Sequence, residues 1–201
     1  MAKFVSEKRD NRIIKPKGEH METNVEDMIL KVDQLFDDGE YAQGRNLLEE
    51  ILEMEPDCGR AHNHIGWLHY YKLDNYKRAE YHYKLALKFS PRYPAAWLNY
   101  AIFLAYLGRT DELKELAEKA LTVQGVNRAA IHNQLGQVHE MQGKYEEALA
   151  YYNEAYMKAT NKTDYKLFLE NFTRVKTKTS FWAKVRLLFA TAKERETAPR
   201  K

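Results

Sequence analysis

Cysteine is almost missing. Cys58 stands alone among 201 residues, so no internal disulfide can form and no zinc cluster can be built on several thiolates. A lone thiol fits a reducing compartment. Glycine (9) and proline (5) are scarce, which disfavours a loop-rich all-β fold. No apolar run reaches the roughly 18 residues that would span a bilayer. The opening stretch MAKFVSEKRDNRIIKPKGEH has no hydrophobic signal core, so a cytoplasmic protein is expected. Chemistry-bearing motifs are missing as well. There is no glycine-rich phosphate loop, no GxSxG and no HExxH, so neither catalysis, nor a cofactor, nor a small-molecule substrate is expected.

What is present is a polar chain with generous aromatics: 14 Tyr, 8 Phe and 3 Trp. The net charge of +3 is unevenly spread. Residues 24–160 hold 15 basic and 21 acidic side chains, whereas residues 161–201 hold 11 basic and 4 acidic. The body is therefore mildly acidic and the C-terminal segment basic. An acidic body repels phosphate, which disfavours nucleic acid as a partner.

The strongest pattern is a repeat. Turn-forming residues recur at Gly39, Asp74 or Asn75, Gly108 and Gly143. Small or medium residues recur at Gly44, Ala79, Leu113 and Ala148, at Ile51, Ala86, Ala120 and Ala155, and at Val32, Gly66, Ala101 and Gly136. A fourth series is Pro56, Pro91, Gly125 and Thr160. All share a period of about 34 or 35 residues. Two antiparallel helices joined by a tight turn approach closely only where side chains are small, and glycine just past a helix reverses the chain. The spacing predicts helix pairs over 25–38 with 41–54, 59–72 with 75–89, 94–107 with 110–123, and 129–141 with 145–158. Thr23 and Glu26 suggest a capping box before the first helix. Leu167, Phe168, Phe172 and Val175 predict a further helix over 164–178, sealing the open end of the last pair.

The pattern resembles the tetratricopeptide repeat family. The fourth unit matches best, with Leu135, Gly136, Gly143, Tyr145, Ala148, Tyr152 and Ala155. The resemblance implies an all-α, right-handed α-solenoid of about four helix-turn-helix units plus C-terminal helices. The expected division is a flexible tail over 1–23, the repeat domain over 24–160, and a capping helix with a basic amphipathic helix over 161–201. It also implies a non-catalytic adaptor, scaffold or assembly factor that binds a protein or peptide partner in a concave groove. Carried over by position, that groove would present Ile29, Asp33 and Phe36, then Arg60, Asn63, Trp67 and Tyr70, then Leu98, Ile102 and Tyr106, then Asn133 and Gln137. Trp67 is not a signature core position. It would be either an exposed anchor or packed against a terminal segment of its own chain. Some family members grip a terminal carboxylate with Lys, Asn and Arg. The matching positions here hold Ile29, Asp33, His64, Ala95 and Asn99, without the positive charge such a grip needs.

Two features remain. His62 and His69 occupy the same repeat positions as His132 and His139, where bulky packing residues are usual, so a structural role is expected and no metal is assigned. In the stretch 180–195, Phe181, Trp182, Val185, Leu188 and Phe189 form an apolar side opposed by Lys184, Arg186, Lys193 and Arg195. This basic amphipathic helix either seals the solenoid or fills the groove. The alternative is a peripheral membrane-associated or self-assembling protein, a homo-oligomer included, acting through that helix.

Overall fold

The computed structural model describes residues 24–180 together with Val185. Among these residues the chain forms helices only, and they pack as successive hairpins. They are α1 (Val25–Asp37), α2 (Tyr41–Met54), α3 (Gly59–Tyr71), α4 (Tyr76–Phe89), α5 (Pro94–Tyr106), α6 (Thr110–Ala120), α7 (Arg128–Met141), α8 (Tyr145–Lys158) and α9 (Lys162–Lys176). This is the all-α solenoid expected from the repeat.

Local chemistry sets the boundaries. Side chains of Asn75, Asn127 and Asn161 accept from the backbone N–H of Arg78, Ala130 and Asp164 at 3.2, 2.9 and 2.8 Å, satisfying donors that a helix start leaves free. At α1 the cap is Asn24, which accepts from Glu26 N–H at 3.1 Å, in place of the expected Thr23 box. Gly39, Gly108 and Gly143 close three hairpins with φ of 81°, 68° and 72°, in the left-handed region that glycine enters freely. The second hairpin does this with Asp74, at φ 48°. Helix α6 stops at Ala120, three residues before the expected end, because Leu121–Val126 wind into turns and Thr122 Oγ donates to the carbonyl of Lys119 at 2.7 Å.

The small residues lie where helices touch. Ala79, Ala86, Ala148 and Ala155 have no exposed surface. An added Cβ at Gly66 would fall 2.8 Å from Tyr83 Cδ1, and one at Gly136 would fall 2.6 Å from Tyr152 Cδ1. So the second and fourth pairs repeat one contact, a bare helix backbone against the face of a buried tyrosine. The two tyrosines differ at their tips. Tyr152 donates to Glu140 Oε2 at 2.9 Å, whereas the Tyr83 hydroxyl is buried without a partner. Tyr152→Phe should therefore cost about 1 kcal/mol in denaturant unfolding, and Tyr83→Phe should be neutral or stabilising. Equal losses at both sites would contradict this account.

Beyond the fourth pair, α9 lies along α8. Phe168 and Val175 are fully buried, against Ala129 and Ala155 and against Ala148, Leu149 and Tyr152 respectively. The apolar side of 180–195 (Phe181, Trp182, Leu188 and Phe189, with Val185 only as a helical residue) falls outside the described residues.

Candidate partner-binding groove

The first helix of each pair contributes to one side of the stack, and two hollows lie along it. One, of about 580 Å³, is lined by Asp33, Phe36 and Asp37 from α1, Tyr41 from α2, Asn63, His64 and Trp67 from α3, and Tyr93, Ala95 and Asn99 at the start of α5, with Lys72 at its edge. The other, of about 610 Å³, is lined by Tyr70, Ile102, Ala105, Tyr106, Gln134, Gln137, Glu140, Met141 and Tyr152, with Arg174 and Lys178 from and beyond α9.

Eight of the twelve residues expected in the groove line these hollows: Asp33, Phe36, Asn63 and Trp67 the first, and Tyr70, Ile102, Tyr106 and Gln137 the second. The other four lie elsewhere. Ile29 is fully buried in the core between α1 and α2, so it has no surface to offer. Leu98 is half-buried and packs against the central core. Arg60 pairs with Glu26 across α1 and α3, and its guanidinium sits 5.9 Å from the Tyr93 ring centre. Asn133 is 3% exposed and its side-chain oxygen accepts from Asn171 Nδ2 at 2.9 Å. Asn63 is in the same position: it is 2% exposed and accepts from Asn99 Nδ2 at 3.0 Å. Both asparagines are thus engaged inside the chain, Asn63 with α5 and Asn133 with α9.

The terminal segments that Trp67 was expected to meet, if not a partner, lie outside the described residues. Trp67 stacks on Phe36 with ring centres 5.3 Å apart, and the Tyr71 and Tyr41 rings lie at 5.2 and 6.0 Å. It remains half-buried, with one side in the first hollow. Sequence reasoning missed Tyr41, Lys72, Tyr93, Glu140, Met141, Arg174 and Lys178. Met141 carried a usable signal, being a large apolar residue at the tip of a first helix; it is 64% exposed.

Contacts with neighbours hold several of the groove's ionisable groups away from their ordinary behaviour. Burial pushes the Glu140 carboxyl up, but hydrogen bonds from Tyr152, Arg174 and Lys178 outweigh that and hold it below its ordinary value. Burial lowers His64, against the pull of Asp33, whose Oδ1 lies 3.3 Å from Nε2. Tyr70 is pushed well above its usual value by burial among other tyrosines. Outside the groove, paired hydrogen bonds from Arg109 at 2.7 and 3.0 Å hold Glu80 down at about 2. Among the described residues no group of three or more His, Cys, Asp or Glu is placed to hold a metal ion, and no helix is long and apolar enough to cross a membrane.

Residues 29–94 and 93–157 match two family models, each described as a tetratricopeptide repeat, and together these span well over half of the chain. The chain belongs to the tetratricopeptide repeat family. As such it is a protein-interaction scaffold. No curated protein matches its sequence. Solved structures do match the fold. PilF of Pseudomonas aeruginosa aligns with a TM-score of 0.63 at 18% identity, covering 75% of this chain and 76% of that one. PilW, a widely conserved type IV pilus biogenesis factor, gives 0.60 at 18% identity, covering 76% and 78%. MamA gives 0.57 at 19% identity, covering 67% and 73%. At these identities the likeness is one of fold. It bears on the tetratricopeptide repeat hairpins and not on the lining of the groove.

Proposed function

We propose that this chain is a non-catalytic adaptor or assembly factor whose groove receives an extended peptide or a helix of a protein partner. One observation carries the reading: large apolar side chains stay in contact with solvent along the two hollows. Tyr106 is 54% and Met141 64% exposed, and Trp67 and Ile102 are only partly covered. Aromatic and methionine surface of this kind, framed by polar groups, is typical of sites that bury an apolar partner segment. The stacked hairpins supply a preformed surface, so little reorganisation opposes binding. In this reading residues 24–160 are the recognition domain, residues 161–201 complete its far end, and residues 1–23 are a tail. A reducing, cytoplasmic setting is part of the same proposal. The membrane or self-assembly alternative rests on 180–195, almost all of which lies outside the described residues.

The test is affinity capture with mass spectrometry, comparing the native chain with Trp67→Ala/Tyr106→Ala. Both side chains face the groove, so helical content should persist while partner recovery falls about tenfold or more, as expected when two interface anchors are lost. Undiminished recovery by the folded double variant would overturn the proposal.

A further inference from the structure

The first hollow contains an arrangement that says what kind of side chain it accepts. Phe36, Tyr41 and Trp67 pack together as an open aromatic corner, here called the box, with Phe36 stacked on Trp67 at 5.3 Å between ring centres and meeting Tyr41 edge-to-face at 5.7 Å. A cation already sits in it. The Lys72 ammonium is 4.1 Å from the Tyr41 ring centre and 5.7 Å from that of Trp67. Such distances are those of cation–π contact, in which the negative face of the ring attracts the charge. Asp33 and Asp37 stand at the rim of the same hollow.

Two cations of the chain lie over aromatic rings that line this hollow, and they are held differently. Arg60, over Tyr93, is fixed by its ion pair with Glu26. Lys72 has no carboxylate within ion-pair distance among the described residues, and it is exposed at the C-terminal end of α3. Its hold on the box is therefore the weaker one, and a flexible four-carbon stem lets it leave. Asp37 likewise has no ion-pair partner among the described residues, so the rim keeps an unspent negative charge.

We propose that this box receives a lysine or arginine side chain of the bound protein partner, with Lys72 as its resting occupant, displaced on binding. The inference rests on the groove reading above and adds the chemistry of one partner residue. An aliphatic stem would lie along Trp67 and Phe36, its charge over Tyr41 and facing Asp33 and Asp37. Lys72 then acts as a built-in competitor that raises the threshold for weakly basic segments.

The test uses the full chain and two pools of heptapeptides of equal apolar content. One pool has lysine or arginine fixed at the centre, the other glutamate. Binding is followed by fluorescence anisotropy. The basic pool should bind about tenfold more tightly than the acidic one. Lys72→Ala should tighten the basic pool about threefold or more, because it removes both a competitor and a like charge. Tyr41→Leu and Asp33→Asn should each weaken it about fivefold without changing the melting temperature. Equal binding of the pools, binding of neither, or weaker binding by Lys72→Ala would overturn the proposal. So would a peptide of residues 181–201 outcompeting the basic pool, which would make the chain's own end the occupant. A Lys72→Ala variant that dimerises in sedimentation would do the same in favour of a second copy. If Tyr41→Leu captures cellular partners as well as the native chain does, while Trp67→Ala/Tyr106→Ala does not, the groove stands and the box falls.

Discussion

Gly136→Val is expected to destabilise the chain by about 3 kcal/mol, lowering its melting temperature by about 9 °C. The side chain would have to occupy space already filled by the Tyr152 ring, whose Cδ1, Cε1 and Cγ lie 2.6, 2.6 and 3.0 Å from the site of the new Cβ. Tyr152 cannot swing away, because it is fully buried and its hydroxyl is tied to Glu140. Valine at an interior helical position recovers a few tenths of a kcal/mol over glycine by propensity, too little to offset the overlap. Gly66→Val should behave the same way against Tyr83, at 2.8 and 2.9 Å. The contrast is Gly143→Ala, where nothing lies within 4 Å of the new Cβ. There the cost is backbone strain at φ 72° alone, about 1 kcal/mol. Thermal melts of the three variants check the ordering. A Gly136→Val chain that melts with the wild type would mean the Tyr152 ring slides aside, and the close-contact account of the repeat would fail.

The second large effect is an acid loss of stability driven by histidine. His62, His64, His69, His82, His132 and His139 are all shifted down from their ordinary value, in each case chiefly by burial. His82 falls to about 4, burial being reinforced by His62, His69 and Arg78 nearby. His62 Nδ1 and His82 Nδ1 are 3.0 Å apart, a contact that needs one of the two nitrogens unprotonated. Both ring nitrogens of His139 and Nδ1 of His69 are buried without partners. An unfolded chain binds these protons near pH 6.5, whereas the folded chain binds them only at lower pH. The unfolded state therefore carries more protons between those limits. The associated stability is complete above pH 6.5 and is lost as pH falls towards about 4. Each histidine held neutral contributes a slope of at most about 1.4 kcal/mol per pH unit, less where water reaches the ring. The melting temperature should drop by about 5–10 °C from pH 7 to pH 5. His82→Gln should flatten that drop, since its amide can keep a hydrogen bond without titrating. A pH-independent melt over this range would refute the argument. Glu80, held at about 2 by Arg109, adds its own acid loss only below the ordinary glutamate range and leaves this window clean.

How much of this the sequence carried depends on the type of signal. The hairpins were legible because close contacts need small residues, and small residues at a fixed interval stand out in a chain of large ones. Gly66, Ala79, Ala148 and Gly136 lie where that logic put them, and the expected helix ends fall within a few residues of those observed. The groove was legible only in part. Ile29 was assigned to it by register alone, but the first unit turns that residue into its own core. Asn63 and Asn133 were assigned to the groove by position, with no sign of their partners, Asn99 and Asn171, which sit 36 and 38 residues on. Lys72 stood only as the last residue of an expected helix, and only the folded chain brings it over Tyr41. Arg174 and Lys178 lie past the last hairpin, where the repeat offers no register to read.

The polar links between neighbouring units have a mechanical consequence. Glu26 to Arg60, Asn63 to Asn99, Glu80 to Arg109, Thr110 to Gln142, Asn133 to Asn171 and Glu140 to Arg174 each join one unit to the next. None of these six reaches two units away. Load applied along the axis would meet a row of separate latches in place of one lock, so the molecule should lengthen in steps and re-close from whichever hairpin remains seated.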